Sequence, residues 1–430
     1  MKMKDSGVEW IGEIPENWEL RKIKYILNER KEKNNPIETN FILSLSMERG
    51  VFPYSEKVGG GNKAKEDLTA YKIARPNDIV INSMNILAGS VGISKWVGAV
   101  SPVYYTYFSK DEDIDIYYYH YLFQCSEFQK SLLGLGNGIM MKETENGKLN
   151  TIRMRIPSDK LGNLLFPIPT KIEQQKIADF LDSKIALIDQ IIADTKRSIE
   201  ELKAYKQSLI TETVTKGLDP NIPMKDSGVE WIGEIPESWK LKRVRYFLKE
   251  ISEKNHPNEQ VLSLYRDYGV IPKDSRNDNH NVTSSDTSGY KFVDVGNLVI
   301  NKMKAWQGSL AISNYQGIIS PAYYIYRIID GGIDLRFLHY ALRNPAYKQE
   351  YMRISSGLRI GQWDLNKEEF KKLFYPFPEQ EEQQEIANFL DEKSKQIDKL
   401  VLDKQIIIQE NESYKKSLIY EYVTGKKQVN

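Results

Sequence analysis

A duplication constrains this chain more than any other feature of its sequence. Residues 3–27 recur as residues 224–248, with 18 of 25 positions identical. A second pair of similar segments, 170–216 and 379–424, aligns without a gap at an offset of 209 residues. Because self-similarity at a fixed period marks repeated structural units, the sequence predicts two halves of ~210 residues that share one scaffold.

The segment 170–216 has the pattern of one long helix. Thr170 and Glu173 form a capping box at its start, no proline interrupts it, and Gly217 provides a stop. Its apolar residues recur at heptad spacing, which is typical of a coiled-coil seam. The second copy, 379–424, keeps this register, although Lys404 falls on the same stripe. Each helix could instead pack lengthwise on a domain, but two such helices in one chain favour pairing with each other. The predicted seam consists of Leu181, Ile185, Ile188, Ile192, Ile199, Leu202, Leu209, Leu390, Ile397, Val401, Ile408 and Leu418.

The chain therefore divides into a globular domain at 1–166, a central long helix at 167–223, a second globular domain at 224–375 and a C-terminal long helix at 376–430. Runs such as DIVINSM and NLVINKM predict strands, while IYYYHYLFQCSEFQKSLL and LRFLHYALRNPAYKQEYM predict helices. The predicted fold class is α/β (α+β), with two copies of a globular domain separated by two long antiparallel coiled-coil helices. An internal pseudo-two-fold repeat of this kind would bring the two ends of the chain together.

Composition favours a cytoplasmic, soluble protein without a membrane partner. Cys125 is the one cysteine, which excludes an internal disulfide framework and a cysteine zinc cluster. No apolar run approaches the ~20 residues of a membrane span. The formal net charge is +1, but the globular segments carry +1 and +4 and the helical segments −1 and −5. Although a bulk polyelectrolyte binder is not indicated, the positive surplus lies on the globular parts.

The sequence contains no recognisable catalytic or metal-binding set. The histidines do not fall at metal-ligand spacing, and His120 and His339 occupy equivalent places in a predicted helix, which favours a structural role. The run GLGNG at 134–138 does not lead from a strand into a helix, as a dinucleotide loop must. The tetrad NPAY at 344–347 falls one residue short of the Asn-Pro-Pro-Tyr pattern of amino-methyltransferases. We therefore expect no catalysis, no metal and no cofactor in this chain.

The halves differ most in the loops between their shared segments. GGGNKAKEDLTA in the first half faces SRNDNHNVTSSDT in the second, and the first half has ten extra residues around MMKETENGKLN. These loops are rich in Asn, Ser, Lys and Arg, which contact base edges and phosphates in DNA complexes and are also ordinary residues of solvated loops. The candidate DNA-binding residues are Lys57, Asn62, Lys63, Lys65, Asn82, Asn85, Asn137, Lys142, Arg276, Asn277, Asn301, Lys302, Lys304, Arg353, Arg359 and Gln362.

Three sets of segments resemble the specificity subunit of type I restriction-modification systems over essentially the whole chain. They are the twin KDSGVEWIGEIPE openings, the pair SGLRIGQWDLNKEEFKKLFYPFPEQEEQQEIANFLDEK and FPIPTKIEQQKIADFLDSK, and the closing KKSLIYEYVTGK. The resemblance implies two target-recognition domains, each reading one half of a bipartite, asymmetric sequence in double-stranded DNA. It implies that the helices set the spacer and dock methyltransferase subunits, two in number, which motor-nuclease subunits join. S-adenosylmethionine, ATP and Mg would then be bound by those partners, and this chain would be non-catalytic. One departure is that the Gly357-Leu358-Arg359 sequence is absent from the first half.

Other functions remain open on the residues alone. An enzyme, such as a fused methyltransferase or nuclease, would need a cofactor loop and a catalytic tetrad, and neither is recognisable. A pure scaffold would explain the helices but not the divergent polar loops. A specificity module of another DNA-modification or phage-defence system, with different partners, would share the features above.

Overall fold

The strands and helices of the first half recur in the same order in the second, as the duplication predicts. The structure, a computed structural model, describes residues 2–58, 63–136, 142–143, 149–150, 155–266, 268–276, 283–284, 286–357 and 363–429, with the backbone alone at 142–143 and 149–150. The chain divides into two units: unit 1 comprises Met1–Thr195 with Ile406–Asn430, and unit 2 comprises Lys196–Gln405.

The elements of the first half are β1 (Met3–Asp5), β2 (Glu13–Pro15), β3 (Glu19–Lys22), α1 (Ile23–Ile26), β4 (Asn28–Glu29), β5 (Leu43–Ser46), β6 (Gly50–Pro53), β7 (Lys72–Ala74), β8 (Ile79–Asn82), β9 (Val91–Ile93), β10 (Gly98–Val100), β11 (Tyr104–Phe108), α2 (Ile116–Gln124), α3 (Ser126–Ser131), β12 (Lys142–Glu143), β13 (Leu149–Asn150), α4 (Ser158–Gly162), β14 (Leu165–Ile168) and α5 (Lys171–Lys216). Those of the second half are β15 (Met224–Asp226), β16 (Glu234–Pro236), β17 (Lys240–Arg243), α6 (Val244–Phe247), β18 (Leu248–Ile251), β19 (Leu262–Tyr265), β20 (Gly269–Pro272), β21 (Lys291–Val293), β22 (Leu298–Asn301), β23 (Leu310–Ile312), β24 (Gly317–Ile319), β25 (Tyr323–Ile328), α7 (Leu335–Leu342), α8 (Pro345–Arg353), β26 (Ser355–Ser356), β27 (Asp364–Leu365), α9 (Lys367–Phe370), β28 (Phe374–Phe377) and α10 (Gln380–Val423). Short 3-10 turns occur at Tyr54–Glu56, Ile86–Ala88, Lys273–Ser275 and Ala305–Gln307.

A four-stranded antiparallel sheet lies at the centre of each globular domain. The strand order is β4-β11-β8-β9 in the first half and β18-β25-β22-β23 in the second. Along β8, Ile79 and Ile81 belong to the core that includes α2, whereas Val80 belongs to a second cluster with Leu43. Both faces of this strand are therefore buried, which explains why its sequence is continuously apolar.

Each predicted aromatic helix is confirmed but consists of two shorter helices. The break falls at Cys125 in the first half and at Asn344 in the second. Pro345 follows Asn344, and a proline disfavours helical backbone in the residue before it. The Asn344 side-chain oxygen accepts the N–H of Ala346 at 3.0 Å, so the NPAY tetrad is the capped start of α8.

The two predicted long helices are α5 and α10. Helix α5 begins one residue after the predicted start because Thr170 is its cap: the Thr170 hydroxyl accepts the Glu173 N–H at 3.3 Å, and the Glu173 carboxylate accepts the Thr170 N–H at 2.9 Å. It ends before Gly217, whose φ is +82°. The predicted segment boundaries at 167 and 376 fall a few residues early, inside strands that pair with β3 and β17. No helix among the described residues is long and apolar enough to cross a membrane.

Within unit 1, α5 and α10 run antiparallel, as predicted. The rings of Phe180 and Tyr422 are 4.4 Å apart, and farther along the pair Lys415 Nζ lies 2.7 Å from Asp189 Oδ1. An ion pair between half-exposed side chains contributes about 0–1 kcal/mol, so this contact adds little to the stability of the helix pair.

Unit 2 repeats this pairing with the roles of the two helices exchanged, so that the lysine lies on α5 and the aspartate on α10. Lys206 Nζ lies 2.7 Å from Asp398 Oδ2, at the positions equivalent to Lys415 and Asp189. Leu181 and Leu390 also belong to the globular cores of their units, so each helix both pairs and packs on its own domain. The buried seam residues are Leu181, Ile185, Ile188, Ile192, Ile199, Leu390, Ile397 and Leu418. The half-buried ones are Leu202, Leu209, Val401 and Ile408.

The duplicated 25-residue segment attaches each globular domain to a long helix. The indole N–H of Trp18 donates to the Glu173 carboxylate at 3.2 Å, and that of Trp239 donates to Glu382 at 3.1 Å. Both glutamates lie in the first turn of a long helix. The repeated segment therefore makes the same docking contact in both units.

The predicted proximity of the two ends of the chain is confirmed within unit 1. The Lys426 ammonium donates to the carbonyl oxygen of Ile11 at 2.6 Å, and the Tyr420 hydroxyl donates to the same oxygen at 3.3 Å. Unit 1 is thus assembled from two stretches that are remote in sequence.

Candidate nucleic-acid interface

A tight turn follows strand β8 in unit 1 and strand β22 in unit 2. These two turns carry several of the predicted DNA contacts. In unit 1 the turn runs from Asn82 to Gly89, whose φ is +80°. The Asn82 side-chain oxygen accepts the backbone N–H of Met84 at 3.0 Å, and Asn301 accepts that of Met303 at 3.1 Å in unit 2. These asparagines therefore hold the turns in shape, and the chemistry that a turn offers to a ligand depends on the residues that follow them.

Lys302 and Lys304 make the turn of unit 2 basic. Lys304 is exposed, and Asn85 occupies the equivalent place in unit 1. Lys302 Nζ lies 3.1 Å from the Asp364 carboxylate, and its carbonyl oxygen accepts the N–H of Leu365 at 2.9 Å. The turn is therefore fixed to the ribbon formed by β26 and β27, which flanks the sequence GLRIGQ.

Two tryptophans that the sequence did not single out strengthen this attachment. The rings of Trp306 and Trp363 are 5.4 Å apart, and the Trp306 indole donates to the Met303 carbonyl at 3.1 Å. Arg353, a predicted contact, lies nearby in sequence at the end of α8, where its guanidinium is 2.8 Å from the Glu350 carboxylate. In the sequence, the position of Trp363 directly after the segment GLRIGQ was the signal that could have pointed to this packing.

The lysine-rich loop of unit 1 is held by tyrosines. The Tyr54 hydroxyl accepts the backbone N–H of Ala64 at 3.0 Å, and the Tyr71 hydroxyl accepts that of Lys65 at 3.1 Å. Lys63 and Lys65 are both exposed. Ordered backbone and exposed cations together suit contact with a polyanion.

Lys57 and Arg276 occupy equivalent positions in the two halves, and each lies over a tyrosine ring. Lys57 Nζ is 5.3 Å from the ring centre of Tyr54, and the Arg276 guanidinium is 4.3 Å from that of Tyr268. Cation–π contacts at exposed sites contribute about 0.5–1 kcal/mol, so they restrain these side chains without neutralising their charge.

The other six predicted contacts have no side chain among the described residues. Lys142 lies in β12, which pairs with β13 to form a ribbon within the insertion of the first half. The predicted contacts outside the described residues are Asn62, Asn137, Asn277, Arg359 and Gln362. These stay predictions.

The titratable groups that could have suggested an active site are buried. Burial lowers the pKa of His120 and of His339 to about 4, and the His339 Nδ1 accepts the Ile312 N–H at 3.4 Å. Burial raises the pKa of the Cys125 thiol to about 12. Within the described residues, no group of three or more His, Cys, Asp or Glu is placed to hold a metal ion.

Comparison with known proteins agrees with the sequence and the fold. Residues 15–201 and 236–408 match the family described as "Type I restriction modification DNA specificity domain". The MjaVIII specificity subunit of a type I restriction enzyme from Methanocaldococcus jannaschii is 24% identical over 440 residues, covering 96% of this chain and 93% of that protein.

Two solved structures have the same fold. One, from work on complex assembly and conformational transition of the type I R-M system, matches with a TM-score of 0.67 and 12% identity, over 95% of this chain and 98% of the other. The HsdS subunit of Thermoanaerobacter tengcongensis matches with a TM-score of 0.53 and 13% identity, over 96% and 98% of the two chains.

Proposed function

This chain belongs to the type I restriction-modification DNA specificity family, and we propose that it selects the DNA sequence on which such a complex acts. Each unit reads one half of a bipartite, asymmetric sequence in double-stranded DNA. The observation that supports this is one repeated frame of sheet and turn that carries different polar side chains in the two halves, as at Lys304 and Asn85. Shared frames with divergent loops suit two readers that dock alike and recognise different bases.

The helices α5 and α10 dock two methyltransferase subunits, and their length sets the unread spacer between the half-sites. Large apolar side chains on the helices support docking: Leu187 is 60% exposed and Leu402 is 55% exposed. Motor-nuclease subunits join this assembly in the cytoplasm. S-adenosylmethionine, ATP and Mg are bound by the partner subunits, and the present chain contributes recognition without catalysis.

An exchange of recognition domains tests this function. Residues 249–375 are replaced by the corresponding stretch of a relative, and the methylated adenines are mapped in host DNA. One half-site should change while the other keeps its bases, and the matched exchange of residues 28–166 should change the other half-site. A change of both half-sites in either exchange would mean that the units read jointly, and an unaltered target would contradict the assignment of recognition to these domains.

The isolated chain tests the absence of catalysis. A preparation free of partner subunits, incubated with S-adenosylmethionine and DNA, should transfer no methyl group, whereas the reconstituted complex should. Methyl transfer by the isolated chain would contradict this part of the proposal.

A further inference from the structure

The turn after β22 in the second half is basic, whereas the equivalent turn after β8 in the first half is neutral, although the backbone of the two turns is the same. At an offset of 219, Lys302 aligns with Ser83 and Lys304 with Asn85. The backbone confirms this alignment: the Lys302 carbonyl accepts the N–H of the last residue of β27 at 2.9 Å, and the Ser83 carbonyl accepts that of Ile156 at 3.0 Å. The turn therefore folds in the same way with or without its two cations.

The lysine-rich loop of unit 1, which Tyr54 and Tyr71 hold, differs in the opposite direction: its lysines lie in the first half, and the equivalent residues of the second half are neutral. Lys65 aligns with Ser284 at the same offset, and Lys63 aligns with Val282. The Tyr71 hydroxyl accepts the Lys65 N–H at 3.1 Å, and the Tyr290 hydroxyl accepts the Ser284 N–H at 3.3 Å. This loop, too, keeps its anchoring contact when the lysine is absent.

Helix α8 enlarges the basic surface of unit 2. It carries Lys348 and Arg353, where the first half has Gln129 and Gly134. A Cβ built on Gly308 would lie 2.6 Å from Lys348 Cε, so the stem of Lys348 lies across the turn that holds the other two lysines. Lys348 of α8 thus lies beside the turn that carries Lys302 and Lys304.

We propose that the two units hold DNA phosphates through different loops, unit 1 through Lys63 and Lys65 and unit 2 through Lys302 and Lys304. This inference rests on the proposed function and adds the residues that fix each unit on the DNA backbone. Each frame keeps its anchoring contacts in the half that lacks these lysines, so neither the turn nor the loop requires the charges to fold. Lys302 in addition pairs with Asp364 at 3.1 Å, a carboxylate at the protein surface. A phosphate contact requires a cation within reach but no particular base, so the two halves can supply it from different loops.

Exchange of the residues between halves tests the proposal in the reconstituted complex with methyltransferase subunits. The variants K63V/K65S and K302S/K304N give each half the residues that the other half already tolerates, so both should fold. The DNA-binding constant K is measured between low and moderate salt on two duplexes. One contains the sequence that the complex methylates, and the other lacks it. Each lost phosphate contact should reduce the slope of log K against log salt by about 0.9, or up to about 2 for each pair.

A matched control separates charge from shape. S284A alters the neutral loop of unit 2 at the position equivalent to Lys65, and its slope should equal that of the wild type. Lysine variants with unchanged slopes, in a wild-type complex that discriminates the two duplexes, would overturn the proposal while the proposed function stands. A loss confined to the duplex with the methylated sequence would also overturn it, because the lysines would then be base readers. A wild-type complex that does not discriminate the duplexes would overturn the proposed function itself.

Discussion

A buried ion pair in unit 1, with a natural replacement in unit 2, permits a quantitative prediction. Arg30 Nε donates to Asp78 Oδ2 at 2.7 Å and its Nη2 donates to Oδ1 at 3.0 Å, and the Asp78 side chain is 1% exposed. The same carboxylate accepts the N–H of residue 75 at 2.8 Å. In unit 2 the equivalent residues are Ile251 and Asn297, and Asn297 accepts the corresponding N–H at 3.1 Å. The guanidinium is therefore an addition to a shared backbone contact.

Asp78→Asn should keep the backbone contact and leave Arg30 without its carboxylate. Hydrogen bonds to charged groups contribute about 1.5–3 kcal/mol, and removal of one partner of a buried pair costs about 3–5 kcal/mol. Arg30 is 18% exposed, remains 3.5 Å from Glu32 and lies over the Phe108 ring, so we expect a loss toward the lower end. A loss of about 2–3 kcal/mol in the free energy of unfolding lowers Tm by about 4–12 °C for a domain of ~150–250 residues.

Calorimetry and urea unfolding of the full chain measure this loss. The double variant R30I/D78N gives unit 1 the residues of unit 2 and should recover most of the lost stability, since no unpaired charge remains. The reasoning is refuted if D78N costs less than ~0.5 kcal/mol, as an ordinary surface substitution does. It is also refuted if the double variant loses the full sum of the two single losses.

Three further predictions concern the helices. Leu181→Ala should cost roughly 2–5 kcal/mol in the free energy of unfolding, because Leu181 is fully buried. Leu187→Ala, at a residue that is 60% exposed, should cost little stability and should instead weaken the binding of methyltransferase subunits. Equal losses of stability in the two variants would contradict the assignment of Leu181 to the seam. Insertion of one heptad after Lys196 and another after Gln405 should lengthen the unread spacer by about three base pairs in whatever methylation survives, at ~1.5 Å per residue and ~3.4 Å per base pair, and an unchanged spacer would exclude the helices as the ruler. Burial acts to raise the pKa of the Glu173 carboxyl, but its hydrogen bonds lower the pKa overall. Glu173→Gln should therefore reduce Tm at pH 7, and the difference from the wild type should vanish as the pH falls below ~4. A difference that persists in acid would contradict the stabilising role of the ionised carboxylate.

Local patterns in the sequence predicted the elements well. The heptad spacing and the Thr170–Glu173 capping box are short-range signals, and they located α5 to within one residue of its start. The break before Pro345 was equally local, but the aromatic run that surrounds it reads as one helix, because periodicity does not register a single extended residue. Repetition then transferred each prediction from one half to the other.

Tertiary contacts at the candidate interface could not be predicted in the same way. Asn82 and Asn301 have the side chains of base readers, yet their oxygens are used by their own turns. The pairing of Lys302 with Asp364 depends on where β27 lies against the turn, and 62 residues separate the two in sequence. Composition can thus identify a polar loop, but only packing decides which of its side chains remain for a ligand.

The discontinuity of unit 1 has a consequence for synthesis of the chain. Its two stretches are separated by the whole of unit 2, about 210 residues, which a ribosome adds in roughly 10–40 s at ~5–20 residues per second. During that interval Leu181 and Ile185 of α5 lack the α10 segment that completes their core, whereas unit 2 is continuous and can close as soon as its own residues emerge. The domain that is made first is therefore the last to be finished, and the nascent chain presents an apolar helix face that chaperones or an early partner subunit would have to shield.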